Sequence, residues 1–543
     1  MAAFSPPPRL LLLKPLSLSN GSTRVAPPPP SLVASWRSSL LKSRNQTTRN
    51  SMDMEQPLVD GDAPPDRFKE TNWRAVTLPF LFPALGGLLF GYDIGATSGA
   101  SISLTSPELS GTDWYQLTSI QTGLVVSGSL YGALLGSILA YNVADRLGRR
   151  KELISAAAIY CIGSLVTGLA PNFPVILAGR LAFGFGIGLA MHGAPMYISE
   201  TSPSKVRGTL VSLKEAFIVL GILLGYLAGS VEISTVGGWR WMYAFAAPIA
   251  IIMGIGMWWL PPSPRWLLLR AVQGKGDMSE LTRQACEAFK RLGGGSSNIT
   301  QEAVDLQVDE TVKSLESLSR ESESAQQSVW ELFRGGNLKT LTIGTGLVFF
   351  QQVTGQPSVL YYAATILQSA GFAAATDATR VSVLLGVFKL IMTGVAVFNV
   401  DKLGRRPLLI GGVSGIVVSL FMLASFFVFG KGLSFLAVIA LLLYVGCYQI
   451  SFGPISWLMI SEIFPLRTRG RALSISTLVN FAANALVALA YSPLQELLGA
   501  PLTFVGFGVI GIVALVFIVS TVPETKGLSL EEIEQQLFAS KHL

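Results

Sequence analysis

The chain has 543 residues, half of them hydrophobic and only 13% charged, with a mean hydropathy of +0.51. A soluble domain carries roughly 25% charged residues to cover its surface, so the composition excludes a water-soluble protein and indicates one large membrane domain. The net charge of +7 is not a nucleic-acid signal: residues 1–52 hold Arg9, Lys14, Arg24, Arg37, Lys42, Arg44 and Arg49 without any acid, and the remaining chain is balanced.

Residues 1–52 are rich in Ser and Pro as well as basic, and Asp53 is the first carboxylate. This is the composition of a plastid-type transit peptide, the alternative being a cytosolic tail. A polar segment, 53–74, leads to six apolar stretches near 75–99, 118–142, 152–171, 173–197, 207–229 and 239–260, spans 1 to 6 of a half that covers 75–260. Each approaches the ~20 residues that cross a hydrocarbon core of about 30 Å. Residues 261–338 mix charges with periodic Leu and Val, the pattern of amphipathic helices outside the bilayer. Spans 7 to 12 follow near 340–366, 378–400, 407–430, 433–459, 470–492 and 502–522, in a second half covering 339–522, with a tail at 523–543.

The basic residues mark one side. Asp145-Arg-Leu-Gly-Arg-Arg150 follows span 2, Arg207 precedes span 5, Asp401-Lys-Leu-Gly-Arg-Arg406 follows span 8 and Arg469 follows span 10, whereas residues 95–145 contain no Lys or Arg. The positive-inside rule puts both termini and the central loop on this inner side. The loops also repeat: Asp145 recurs as Asp401, Glu200 as Glu462 and Arg207 as Arg469. Two duplicated six-helix halves place a substrate site near the midplane between them.

Ionisable residues inside spans cost about 2.5–3.5 kcal/mol each on insertion scales, which makes Asp93, Arg180, Glu215 and Lys389 site candidates. The adjacent amides Gln351 and Gln352 offer donors and acceptors to hydroxyls, although a lone amide in a membrane equally serves as interhelical glue. Gly355 and Pro357 interrupt the helix just beyond, as cavity-lining segments allow. Gly184-Phe-Gly-Ile-Gly188 lies inside an apolar helix and reads as close packing, not a phosphate loop. His192, His542, Cys161, Cys286 and Cys447 form no disulfide, metal or catalytic pattern, so no enzyme and no cofactor are expected.

With Gly91-Tyr-Asp93, the two Asp-Arg/Lys-Leu-Gly-Arg-Arg loops, Gly179-Arg180, Gln351-Gln352, Trp457, Pro465 to Gly470 and Pro523 to Gly527, the chain from about 75 to 530 resembles the sugar porter family of the major facilitator superfamily, most of all its plant plastidic D-xylose–proton symporter-like members. The resemblance implies an all-α fold of twelve transmembrane helices in two halves. It also implies secondary active transport by alternating access, with a sugar and a proton as partners, in a monomer in the plastid envelope, inner membrane by expectation. An uncoupled facilitative carrier and a non-transporting sugar sensor are the alternatives.

Carried over residue by residue, Asp93 and Arg180 are the proton-coupling pair. Glu215, Gln351, Gln352, Tyr361, Trp457 and Asn480 stand at sugar-site positions. Asp145, Arg149, Arg150, Glu200 and Arg207, with Asp401, Arg405, Arg406, Glu462 and Arg469, are expected to form ion pairs at the inner gate. The family's usual Pro-Glu-Ser-Pro-Arg appears as Pro261-Pro-Ser-Pro-Arg265, so the first half lacks one gate acid. Glu215, Lys389 and Pro357 replace neutral amides, with Gln356 able to compensate for Pro357. Helices 5 and 8 are neighbours in the resembled fold, which leads to the expectation that Glu215 and Lys389 pair across the halves.

Overall fold

The computed structural model describes residues 73–528 except 203, 293–300, 325–331, 334, 373, 430–433 and 466–467, together with residues 532, 533 and 537. The expected transit peptide at 1–52 and nearly all of the polar segment 53–74 lie outside the described residues, as do the side chains of Asp145, Arg207 and Asp401.

The first half contains α1 (Trp73–Thr105), α2 (Ser119–Leu147), α3 (Arg149–Gly168), α4 (Phe173–Thr201), α5 (Ser204–Glu232), and a sixth crossing built from α6 (Gly238–Ala244) and α7 (Ala246–Trp259). Three amphipathic helices follow, α8 (Pro264–Val272), α9 (Met278–Leu292) and α10 (Gln301–Ser324). They share a small core of Trp266, Leu267, Leu268, Ala285, Val304, Val308 and Leu315. The second half has a broken seventh crossing, α11 (Gly335–Val353), α12 (Gln356–Tyr361) and α13 (Ala363–Ser369), then α14 (Ala375–Leu403) and α15 (Arg405–Phe429). Its tenth crossing is α16 (Ser434–Ile450) with α17 (Phe452–Ile463), and α18 (Arg469–Thr521) is two crossings joined at Gly499, whose φ of 75° turns the chain. The twelve crossings of two six-helix halves are therefore present.

Apolar side chains that remain exposed recur at helical spacing, as at Val509, Ile512, Val513 and Val516 on α18. A stripe of this kind is stable against lipid rather than water. Small residues let crossings approach: a Cβ added at Gly184 would stand 1.9 Å from the Ser129 carbonyl oxygen, so α4 and α2 meet backbone to backbone. This contact confirms the packing reading of the glycine run and fixes Ser129 beside Arg180. Gly355, at φ 96°, occupies the left-handed region that breaks the seventh crossing, and Pro357 then sits in the first turn of α12, where its missing N–H costs nothing.

The halves touch on the side away from the basic loops. Tyr226 on α5 donates to the Leu360 carbonyl at 2.8 Å, the Ala364 amide donates to Ser98 Oγ at 3.0 Å, and Gly123 on α2 abuts the Leu489 carbonyl on α18. The outer side is closed, while Glu215, three turns into α5 from the inner end, keeps its side chain 55% exposed.

Candidate functional site

Asp93 and Arg180 face each other at the centre of the first half. Both side chains are at most 2% exposed, and they form a two-armed ion pair. Ser129 Oγ donates to Asp93 Oδ2 at 2.7 Å and accepts from Arg180 Nη2 at 2.9 Å, while Arg180 also donates to the Val125 and Val126 carbonyls. The guanidinium lies 4.9 Å from the Tyr243 ring, and a small cavity bounded by Tyr92, Ser164, Thr167 and Tyr243 opens beside the pair. Protonating Asp93 would discharge one partner and leave Arg180 held by three neutral acceptors.

A second cluster lies in the other half. Gln351 Nε2 donates to the Phe452 carbonyl at 2.8 Å, at the start of α17, and Gln352 Nε2 donates to Asn480 Oδ1 at 2.7 Å. Among the described residues, the Oε1 atoms of Gln351, Gln352 and Gln356 and the hydroxyl of Ser358 are buried without a hydrogen-bond partner. Orphaned buried polar atoms each cost about 1–3 kcal/mol, and this group presents acceptors and a hydroxyl that a ligand's polar groups can satisfy. Trp457 stands half-buried on α17, against the core of this half. Tyr361 links the two clusters, because its ring is buried and its hydroxyl lies within the field of Asp93, Arg180 and Ser129.

The expected Glu215–Lys389 pair is not formed. Glu215 is held by Lys214 at 3.1 Å, and the Lys389 ammonium donates to Gln449 Oε1 at 2.8 Å and lies 5.1 Å from the Tyr448 ring centroid. Adjacent helical residues point about 100° apart, but the four-carbon lysine stem closes that gap.

At the inner ends, Arg149 pairs with Glu200 at 3.2 Å and Arg405 with Glu462 at 3.0 Å. Each carboxylate also accepts from a hydroxyl, Glu200 from Ser263 and Glu462 from Thr525. Both clusters lie within one half, so among the described residues these pairs brace each half and do not cross between them. Among the described residues, Arg150 and Arg406 form no ion pair. They donate to carbonyls at the ends of crossings six and twelve, Met257 and Trp258 for Arg150 and Val519 for Arg406. Arg469 donates to the Phe464 carbonyl. Glu524 accepts from the amides of Arg405 and Arg406 at the start of α15. Pro262, its counterpart, has no carboxylate to offer to α3. Ser263 and Thr525 escaped the sequence reading, although they share the spacing of Glu200 and Glu462. Ser129 carried no signal of its own.

The family model for "Sugar (and other) transporter" matches residues 80–537. The chain is a member of the sugar transporter family. It is 63% identical over 466 residues to the D-xylose-proton symporter-like 3, chloroplastic, of Arabidopsis thaliana, covering 86% of this chain and 83% of that one. It is 35% identical to the D-xylose transporter of Levilactobacillus brevis, with 85% and 95% covered. Among solved structures it is similar to the xylose transporter XylE from E. coli in a partially occluded inward open conformation, with TM-score 0.69, 28% identity, and 84% and 100% covered. As a sugar transporter family member with the major facilitator fold, it is a membrane carrier and not an enzyme.

Proposed function

We propose that this transporter is a proton-coupled symporter that carries a hexose, pentose or disaccharide across the plastid envelope, at the inner membrane. The observation that carries the reading is the enclosed Asp93–Arg180–Ser129 cluster, tied through Tyr361 to the amides of the second half. A solved relative bound to 6-bromo-6-deoxy-D-glucose is named as a proton:xylose symporter, and the Arabidopsis relative is named chloroplastic. In this reading Asp93 takes a proton, Gln351, Gln352, Tyr361, Trp457 and Asn480 hold the sugar, Glu215 lines the open cavity, and the clusters around Glu200 and Glu462 steady the inner ends as 75–260 rocks against 339–522.

Uptake of labelled D-glucose, D-xylose and maltose into proteoliposomes tests it. The native protein is expected to concentrate at least one sugar only when a proton gradient is imposed. Asp93→Asn is expected to lose concentration and keep exchange, which needs no net protonation cycle. Equal uptake with and without the gradient would make the protein a facilitative carrier. Residues 1–52 fused to a fluorescent protein are expected to enter plastids, and cytosolic or mitochondrial signal would overturn the localisation.

A further inference from the structure

Among the described residues, Lys389 has no carboxylate within ion-pair distance. The side chain is only 4% exposed, near the middle of α14, and its partners are a neutral amide oxygen and a ring face. Among the described charges at this depth, Asp93 is matched by Arg180 and Glu215 by Lys214, which leaves Lys389 as the surplus. Glu215 acts on Lys389 only at longer range, from the facing half. A buried ion pays a desolvation penalty that a single amide does not offset. Lys389 also borders the sugar cluster, because Tyr448, whose ring it approaches, adjoins Gln351.

We propose that the site takes sugar acids, with Lys389 as the residue that selects the carboxylate. The inference rests on the sugar-binding reading above and names the ligand's charge. Two features meet in it. The unpartnered Oε1 atoms of Gln351 and Gln352 accept hydrogen bonds and so call for hydroxyls, while the ammonium calls for an anion. A polyhydroxylated carboxylate such as a uronate supplies both. One ammonium matches a single negative charge, whereas a phosphate monoester, at about −1.5 to −2, would leave charge unmatched. The competing use of Lys389 is neutralisation by Glu215 when the halves close on the inner side.

The test is competition in proteoliposomes carrying the full chain, with D-glucuronate and D-galacturonate against labelled D-glucose, read as the ratio of half-inhibitory concentrations of uronate and unlabelled glucose. The native ratio is expected at or below one. Lys389→Asn is expected to raise it at least tenfold, and Lys389→Arg, which keeps the charge and guards against misfolding, to raise it less than threefold. Glu215→Gln is expected to leave it unchanged or lower it. Uronates that fail to compete where glucose does, or a ratio that Lys389→Asn does not move, overturn the proposal while sparing the sugar reading. A uronate advantage lost in Glu215→Gln would overturn Lys389 as the residue that selects the carboxylate. Binding of neither class would overturn both readings.

Discussion

Ser129 shows how one hydroxyl can serve two charges, donating to Asp93 and accepting from Arg180 with no other atom between them. Ser129→Ala is expected to lower thermal stability by about 1–3 kcal/mol, the cost of leaving a buried polar partner unmet, and a melt in detergent checks it. Gln352→Ala strands Asn480 and is expected to weaken sugar binding a few-fold to about tenfold, which a binding isotherm measures. Glu152 and His192 make a further contact at 2.9 Å with Glu152 fully enclosed. At this scale the sequence identified the charged residues but not all of their partners. A charge in an apolar run is visible from composition alone, whereas Ser129 is one serine among many, and it matters only because Gly184 draws α4 against it. The Glu215–Lys389 expectation fails because the long stem of Lys214 reaches the neighbouring Glu215 across the ~100° between adjacent helical residues.

The elements end where local chemistry dictates. Gly355 and Pro357 made the break in the seventh crossing legible. The break at Ser451 rests on Pro454, which has no N–H to give to the preceding turn. The start of α15 is capped by Glu524, whose burial alone would raise its carboxyl. The amides of Lys526, Arg405, Arg406 and Thr525 outweigh that and hold it below the ordinary carboxylate range. Because the folded-state value is depressed, the stability Glu524 contributes is complete above the ordinary range of about 4.3 and fades as the pH falls through the folded value. Glu524→Gln is expected to cost about 0.3–1 kcal/mol at neutral pH, with the gap to the native protein closing in acid, as melts across pH would read. Pro262→Glu is expected to supply the missing cap to α3 and to stabilise by a similar amount.

Across the whole molecule, duplication explains why one motif reading located both inner ends, and why Ser263 and Thr525 hold equivalent carboxylates. What the repeat could not reveal is the state. Closure on the outer side depends on α2 meeting α18 at Gly123, where an added Cβ would stand 2.5 Å from the Leu489 carbonyl oxygen. Gly123→Leu is expected to hold the outer side open, so that sugar still binds from that side while net uptake falls below a tenth of native. Uptake at the native rate would show that closure tolerates the bulk.

In the proposed symport Asp93 is the one carboxyl that takes the proton, and that sets the electrical character of the cycle. A neutral sugar carried with one proton moves one positive charge, so each 100 mV across the membrane adds about 2.3 kcal/mol to the driving force. A uronate carried with the same proton moves no net charge. Its accumulation would ignore voltage and follow the pH difference alone, about tenfold per unit. A potassium diffusion potential set with valinomycin would therefore separate the two kinds of cargo in a single preparation.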